Sequence, residues 1–292
     1  MLSYICSDCP RGCGVERGAT GHGFCRMGAE PVLARAALHF DEEPVISGTK
    51  GSGAVFFSGC ALRCRFCQNY PISHGNQGRQ ITVERLREIY FELIDQGANN
   101  INLVNPTHFT RAILESLEGG LPVPVVWNTG GYEKVETLRR LEGKVQVYLP
   151  DLKYILPDAA KRYSAAPDYF DFAGPALREM LRQTGPVALN EDGIIQRGTI
   201  VRHLILPGRA EESMRILDWI AENLPGAWVS LMAQYLPFGN VKGVDQLERR
   251  LTQAEYDAVV DHLIDLGLED GFVQELSSSD EKYIPKFDCT GV

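Results

Sequence analysis

Along most of this chain a short run of apolar residues gives way to a polar stretch and then to apolar residues spaced three and four apart. The runs "AVFF" (54–57), "NINLV" (100–104), "VPVVWN" (123–128), "VQVYL" (145–149), "TIVRHLIL" (199–206) and "AWVSLM" (227–232) predict strands. Between them the helical period takes over. Residues 82–96 carry Leu86, Ile89, Tyr90, Leu93 and Ile94 on one face and stop at Gly97. Further helices are predicted over 108–118, 132–142, two segments between 157 and 184, 209–224 and 252–267. About six strand–helix units in series predict an α/β fold, a parallel sheet with helices on its outside. Polar residues follow nearly every strand, and sheets of this kind bind ligands at the C-terminal ends of their strands.

Both ends of the chain depart from this order. Residues 1–28 are rich in Cys and Gly and have no apolar period, so they read as a metal-binding segment. Residues 276–292, beginning "LSSSDEKYIPKFDCTGV", read as an extended tail covering one end of the sheet. Residues 29–275 form the core domain between them, with no internal repeat or linker.

Composition narrows the class. Of 292 residues 44% are hydrophobic and 23% charged, enough for a sizeable core and unlike a disordered chain. The net charge of −9 and the lack of a basic block argue against nucleic acid as a partner. No apolar run approaches the ~20 residues of a membrane span, and "MLSYICSDCP" is no secretory signal, so a cytoplasmic protein is expected. In that reducing compartment the eight cysteines are expected to be ligands or catalysts, with disulfides the lesser alternative.

The cysteines form two groups, with Cys289 alone as a free thiol. Cys6, Cys9, Cys13 and Cys25 are spaced C-x2-C-x3-C-x11-C. Four thiolates close a tetrahedral site, which suits zinc; a single iron or an auxiliary iron–sulfur cluster are the alternatives. Cys60, Cys64 and Cys67, in "FFSGCALRCRFCQN", are spaced C-x3-C-x2-C after a predicted strand. Three thiolates are one short of the set an iron–sulfur cube takes from ordinary ferredoxins, so one iron is left open to a small molecule with a chelating amine and carboxylate. A zinc site completed by His74 is the competing arrangement.

That spacing, with Phe66 before the last Cys, resembles the radical S-adenosylmethionine (SAM) superfamily. The wider stretch 39–73, with "NLVNPTHF", "VWNTGGYE", "YLPDLKY", "VRHLILPG" and "SLMAQY", resembles the pyruvate formate-lyase activating enzyme-like family over nearly the whole chain. The resemblance implies a partial (β/α)6 TIM-type barrel. It implies a [4Fe–4S] cluster on Cys60, Cys64 and Cys67, with SAM on the open iron, and cleavage of SAM to a 5′-deoxyadenosyl radical. A flavodoxin or ferredoxin is the implied electron donor, and a protein or small molecule loses the hydrogen. Activases carry a Gly-Gly-Glu segment for the SAM amino group; Asn105, Thr107 and His108 stand there in this chain, with Thr107 as a helix cap the alternative. Asn128 and Thr129 are expected at the SAM ribose or carboxylate, beside glycines that admit ligand to the backbone. Asp151 and Lys153 share one face of a strand, toward the barrel centre or at the surface. Arg202 and His203 fall on opposite faces, and His203 is the one expected at the cofactor. A non-catalytic electron-transfer or interaction protein with two Cys sites is the competing class.

Overall fold

The computed structural model describes residues 3–18, 23–279 and 284–292. Two short strands, β1 (Tyr4–Ile5) and β2 (Glu16–Arg17), pair antiparallel within the Cys-rich segment. Then come β3 (Val32–His39), α1 (Pro44–Ser47), β4 (Ser52–Phe57), α2 (Tyr70–Ser73), β5 (Arg79–Gln80), α3 (Val83–Asp95) and β6 (Ile101–Val104). The middle of the chain gives α4 (Thr110–Ser116), β7 (Val125–Thr129), α5 (Val135–Leu141), β8 (Val147–Pro150), α6 (Pro157–Ser164) and α7 (Tyr169–Thr184). The last third gives β9 (Ala188–Leu189), β10 (Ile195–Leu204), α8 (Ala210–Asn223), β11 (Trp228–Met232), α9 (Gln253–Asp265) and β12 (Gly271–Val273).

The main sheet runs in the order β12-β11-β10-β8-β7-β6-β4-β3-β5. Along this order every pair from β4 to β12 is parallel, β3 and β5 are antiparallel additions at one side, and β9 pairs antiparallel with β10. The parallel strands are those with unbroken apolar runs because helices cover their outer face and the inner face is also closed off. All residues of β4, β6, β7 and β8 are buried. The helices end where local chemistry directs. The Thr82 hydroxyl accepts from the Arg85 amide at the start of α3, and Thr252 and Glu255 form a capping box at α9.

Two features lay outside the periodic pattern. β3 pairs along β4 in the opposite direction, and the chain then turns through α1 beneath the sheet. Asn100 Nδ2 donates to the Ile46 carbonyl and Asn99 Nδ2 to that of Ser47, each at 2.7 Å, and these bonds seat α1 so that Glu42, just before it, projects inside the barrel. The C-terminal residues lie along β3: the Cys289 amide donates to Ala34 and the Ala36 amide to Thr290, while Phe287 packs edge-on against Phe56. The tail runs along β3, and its Ser278 and Pro285 also reach the cavity at the C-terminal ends of the strands.

Candidate active site

The loop after β4 carries the three thiols. It begins at Gly59, whose φ of +81° is a left-handed backbone; a side chain there would overlap Met27 and sit 2.7 Å from the Cys25 carbonyl. Within the loop the amides of Leu62 and Arg63 donate to Cys60 Sγ at 3.3 and 3.4 Å, and Ser164 Oγ donates to Cys64 Sγ at 3.0 Å. Phe66 is wedged between Tyr163 and Tyr235. Burial, with the neighbouring thiols, pushes the Cys60 thiol up to about 11 and that of Cys67 up to about 12, and Lys153 only partly opposes this. Three soft sulfur donors gathered on one loop match a metal that takes them as thiolates. His74 does not join them. Its Nδ1 bonds Ser73 Oγ and its Nε2 the Arg63 carbonyl, and its ring stacks on Tyr70, so the zinc arrangement has no fourth ligand from His74. Gly59→Ala is expected to destabilise the fold by about 1–3 kcal/mol and loosen the Cys-rich segment from this loop; a denaturant melt with limited proteolysis of residues 1–28 checks it.

A cavity of about 420 Å³ opens beside the thiols, at the C-terminal ends of the parallel strands. Besides the three cysteines and Phe66, it is lined by Asn105 and Thr107 after β6, Asn128 and Thr129 from β7, Asp151 and Lys153 after β8, and Arg202 from β10. Asn105 takes a φ of +58°, which Asn tolerates better than most residues; its Nδ2 donates to the Gly59 carbonyl at 2.5 Å, tying this loop to the thiol loop. A chain of charges crosses the interior. Lys153 Nζ donates to Asp151 at 2.5 Å, Arg202 Nε to Asp151 at 2.9 Å, Arg202 Nη1 to Glu42 at 3.2 Å and Arg202 Nη2 to Asn128 at 2.5 Å. Asn102 and Asn128 both donate to Glu42 at 3.1 Å. Burial pushes Asp151 up, but Arg202 and Lys153 more than reverse it and hold the carboxyl below its ordinary range. Glu42 stays raised, because burial outweighs Arg202.

Alternation along β10 therefore resolves in favour of Arg202. His203 faces outward under α8, with Nδ1 on the Leu152 carbonyl at 2.7 Å and Nε2 on Ser213 Oγ at 2.8 Å, and burial lowers it to about 4. His108 also lies outside the cavity. Its Nε2 bonds the Ser58 carbonyl at 2.6 Å, and burial together with nearby Arg17 lowers it to about 3. Thr107 does not cap a helix: its hydroxyl donates to Glu133. Gly131, with φ +77°, admits no ligand by its lack of a side chain; a Cβ there would overlap the Asp151 carbonyl, so the glycine lets the loop after β7 close on the one after β8. Glu42 and Glu133, with Glu43 beside the first, are carboxylates near the site that no sequence pattern marked. They stand in the loops "HFDEEP" and "NTGGYE", where no period marks a residue as inward.

The N-terminal cysteines sit against the same loops. Cys6, Cys9 and Cys25 are buried and Cys13 is exposed; all eight cysteines are free thiols. Among the described residues no three His, Cys, Asp or Glu side chains already stand as a cage for a single ion. Arg17 lies buried among these sulfurs, with Nη2 2.5 Å from Cys25 Sγ and Nη1 on the His108 carbonyl. Burial disfavours the charge of Arg17, and Cys25 and Cys6 more than offset that. At Cys25 burial outweighs Arg17, so that thiol lies above its ordinary range. Arg11 of the "CPRGCG" turn donates to Ala61, Ser164 and Ala165 carbonyls at 2.6–2.9 Å, so the segment grips the thiol loop next to Cys60.

Residues 47–149, which span the three thiols, match the model of a 4Fe-4S single cluster domain. Over 267 residues the chain is 32% identical to the uncharacterized protein MJ0674 of Methanocaldococcus jannaschii, covering 88% of this chain and 73% of that one. The chain belongs to the family of that archaeal protein. Solved structures agree on the fold. SuiB of Streptococcus suis, in the structure with its precursor peptide SuiA, superposes with a TM-score of 0.51 at 12% identity, over 74% of this chain and 46% of SuiB. Methylornithine synthase (PylB) superposes with a TM-score of 0.50 at 15% identity, over 80% and 68%. The chain spans about half the length of SuiB. Its sheet is the partial TIM-type barrel that the resemblance implied, with the Cys-rich extension at its N-terminus.

Proposed function

We propose that this protein is a radical SAM enzyme that binds SAM in the cavity beside Cys60, Cys64 and Cys67 and cleaves it reductively. The observation that carries this reading is that three thiols on one loop share a single cavity with the polar ends of β6, β7, β8 and β10. A [4Fe–4S] cluster on those thiols would supply one electron to the SAM sulfonium, so that the C–S bond breaks into methionine and a 5′-deoxyadenosyl radical, which takes a hydrogen atom from the substrate. The chain's own residues do the positioning. Arg202 and Lys153, paired with Asp151 and Glu42, offer fixed charges to the polar ends of the ligand. Asn105, Asn128 and Thr129 add neutral donors and acceptors, and Phe66 walls off the loop. His108 and His203 have no part in it.

The substrate class stays within what the resemblance to glycyl-radical activases suggests: a protein glycine, another peptide residue or a small molecule. SuiB, crystallised with a precursor peptide, and PylB, a methylornithine synthase, use the same fold. A flavodoxin or ferredoxin in the cytoplasm supplies the electron. No helix among the described residues is long and apolar enough to cross a membrane. The deciding experiment is anaerobic: cluster-loaded protein, reduced in the presence of SAM, releases 5′-deoxyadenosine. A loaded protein that binds SAM but yields none is an electron carrier or interaction module.

The second site belongs to the same proposal. Cys6, Cys9, Cys13 and Cys25 hold one zinc ion, which organises a segment with little apolar surface of its own. Protein purified without cluster loading should carry about one zinc per chain. Near eight irons per chain after loading, with no zinc beforehand, would replace this with a second four-iron cluster and an electron-relay role.

A further inference from the structure

Glu133 is the most deeply buried carboxylate near the cavity, and nothing in the mechanism above uses it. It lies one layer behind the wall made by Thr107 and Thr129. Both hydroxyls donate to the same oxygen, Oε1, each at 2.5 Å, and Trp127 Nε1 approaches that oxygen at 3.3 Å. The other oxygen, Oε2, is buried and has no partner. The groups facing Glu133 from the loop after β6, from β7, β8 and α7 are Thr107, Trp127, Thr129 and the phenols of Tyr148 and Tyr169, both kept protonated by burial. No cation contributes to its environment.

This arrangement fixes what the wall can recognise. A threonine hydroxyl has one proton, and here both protons are spent on Glu133. Only lone pairs remain to face the cavity, and the two oxygens are 3.5 Å apart. A pair of acceptors backed by a carboxylate selects a ligand group that brings hydrogens and no lone pair. We propose that Glu133 is the positioning residue for the amino end of SAM: through Thr107 and Thr129 it presents two oriented acceptors to the N–H groups of the ligand amine. The inference rests on the reading that SAM binds in this cavity. It assigns to a carboxylate outside the cavity the selection of the amine.

Burial raises the Glu133 carboxyl to about 7, and the hydroxyls and indole only partly oppose it. The free protein near pH 6 therefore holds it mostly protonated, and the donor group of the ligand favours its ionised form. Affinity contributed by Glu133 is weak below pH 7 and full above it, by about tenfold for one proton over the unit below its pKa.

The test is equilibrium dialysis of SAM against cluster-loaded wild type and Glu133→Gln between pH 6 and 8. Titration of the ligand and the cluster is common to both proteins and cancels in the ratio of their affinities. That ratio should rise about tenfold in favour of wild type from pH 6 to 8. For the SAM analogue lacking the α-amino group it should stay near one throughout. Thr129→Val, which removes one acceptor but leaves Glu133, should weaken SAM binding and keep part of the pH slope. A ratio flat with pH, or the same ratio for the analogue, overturns the role of Glu133 and leaves SAM binding standing. Wild type that binds no SAM at all overturns the proposed function, and this inference with it. Thermal melts of the unloaded proteins provide a second readout. Because the native pKa is raised, wild type loses stability relative to Glu133→Gln as the pH climbs from about 5 to 8. A constant gap between the two melts would overturn the assignment of a buried, titrating carboxylate.

Discussion

Replacing Cys60, Cys64 and Cys67 together by Ala is expected to reduce 5′-deoxyadenosine formation to background and to lower bound iron by about four atoms per chain. Among the described residues the three sulfurs are the only thiols on the cavity wall, and they come from one loop whose backbone is pinned by Asn105 and Arg11. Removing them leaves the cavity with nitrogen and oxygen donors and the thioether of Met232, none of which replaces a thiolate set. The loop itself should survive, since Phe66 keeps its place between Tyr163 and Tyr235 and the Arg11 bonds go to backbone carbonyls. A single substitution is expected to cost nearly as much activity as the triple, because the ligands act as one unit. Zinc in the N-terminal segment should be unchanged in the triple variant. If that variant still releases 5′-deoxyadenosine on reduction, the cluster is elsewhere and the proposed function fails at its base.

Arg202→Met is expected to destabilise the protein by about 3–5 kcal/mol, as breaking one side of a buried charge pair generally does. Arg202 joins Asp151, Glu42 and Asn128, and its loss leaves two buried carboxylates with Lys153 as their remaining cation. The consequence for pH follows from sign. The native Asp151 carboxyl lies below its ordinary range, so its contribution is present above the unfolded value and is lost as pH falls through the native one. Without Arg202 that loss should begin at higher pH. Adding Glu42→Gln to Arg202→Met removes one stranded charge and should return about 0.5–3 kcal/mol relative to additivity. SAM cleavage should fall by at least about a hundredfold in both, since the side chains facing the ligand lose their fixed geometry. Denaturant melts of the four proteins in the cycle measure the coupling. Simple additivity would mean that Arg202 and Glu42 do not interact in the folded protein.

The parallel strands from β4 to β11 and the longer helices between them were legible because each apolar run had to be buried on both faces or one, and that requirement is written in local spacing; α2, β5 and β9 are too short to show it. The thiol loop was legible for a related reason: three donors to one cluster must come from one short segment when that segment wraps it. Spacing also placed Asp151 and Lys153 on one face. β3 and β12 left weaker marks. β3 is a mixed run, "VLARAALH", with neither a clean alternation nor a helix-stopping signal, and its pairing is set by β4 beside it. β12 has three residues, too few for any period to show.

Direction was what the sequence left open. Alternation separated Arg202 from His203 but not inside from outside, since in a covered barrel both faces of a strand are buried. The structure decides it by partners: a guanidinium finds two carboxylates in the interior, and an imidazole finds a carbonyl and a hydroxyl under α8. His108 was read toward the cavity by position alone, and the turn after β6 rolls it the other way, under Arg17. Glu42 and Glu133 reach the interior through loops that fold inward from 39–43 and 130–134, where no repeat constrains orientation. By itself the sequence determined which segments are strands and helices and which thiols share a loop, because those follow from contacts between near neighbours in the chain. Only the tertiary structure decided which polar side chains meet around the cavity, because a buried charge or hydroxyl is stable only where a partner from a distant segment completes its hydrogen bonds.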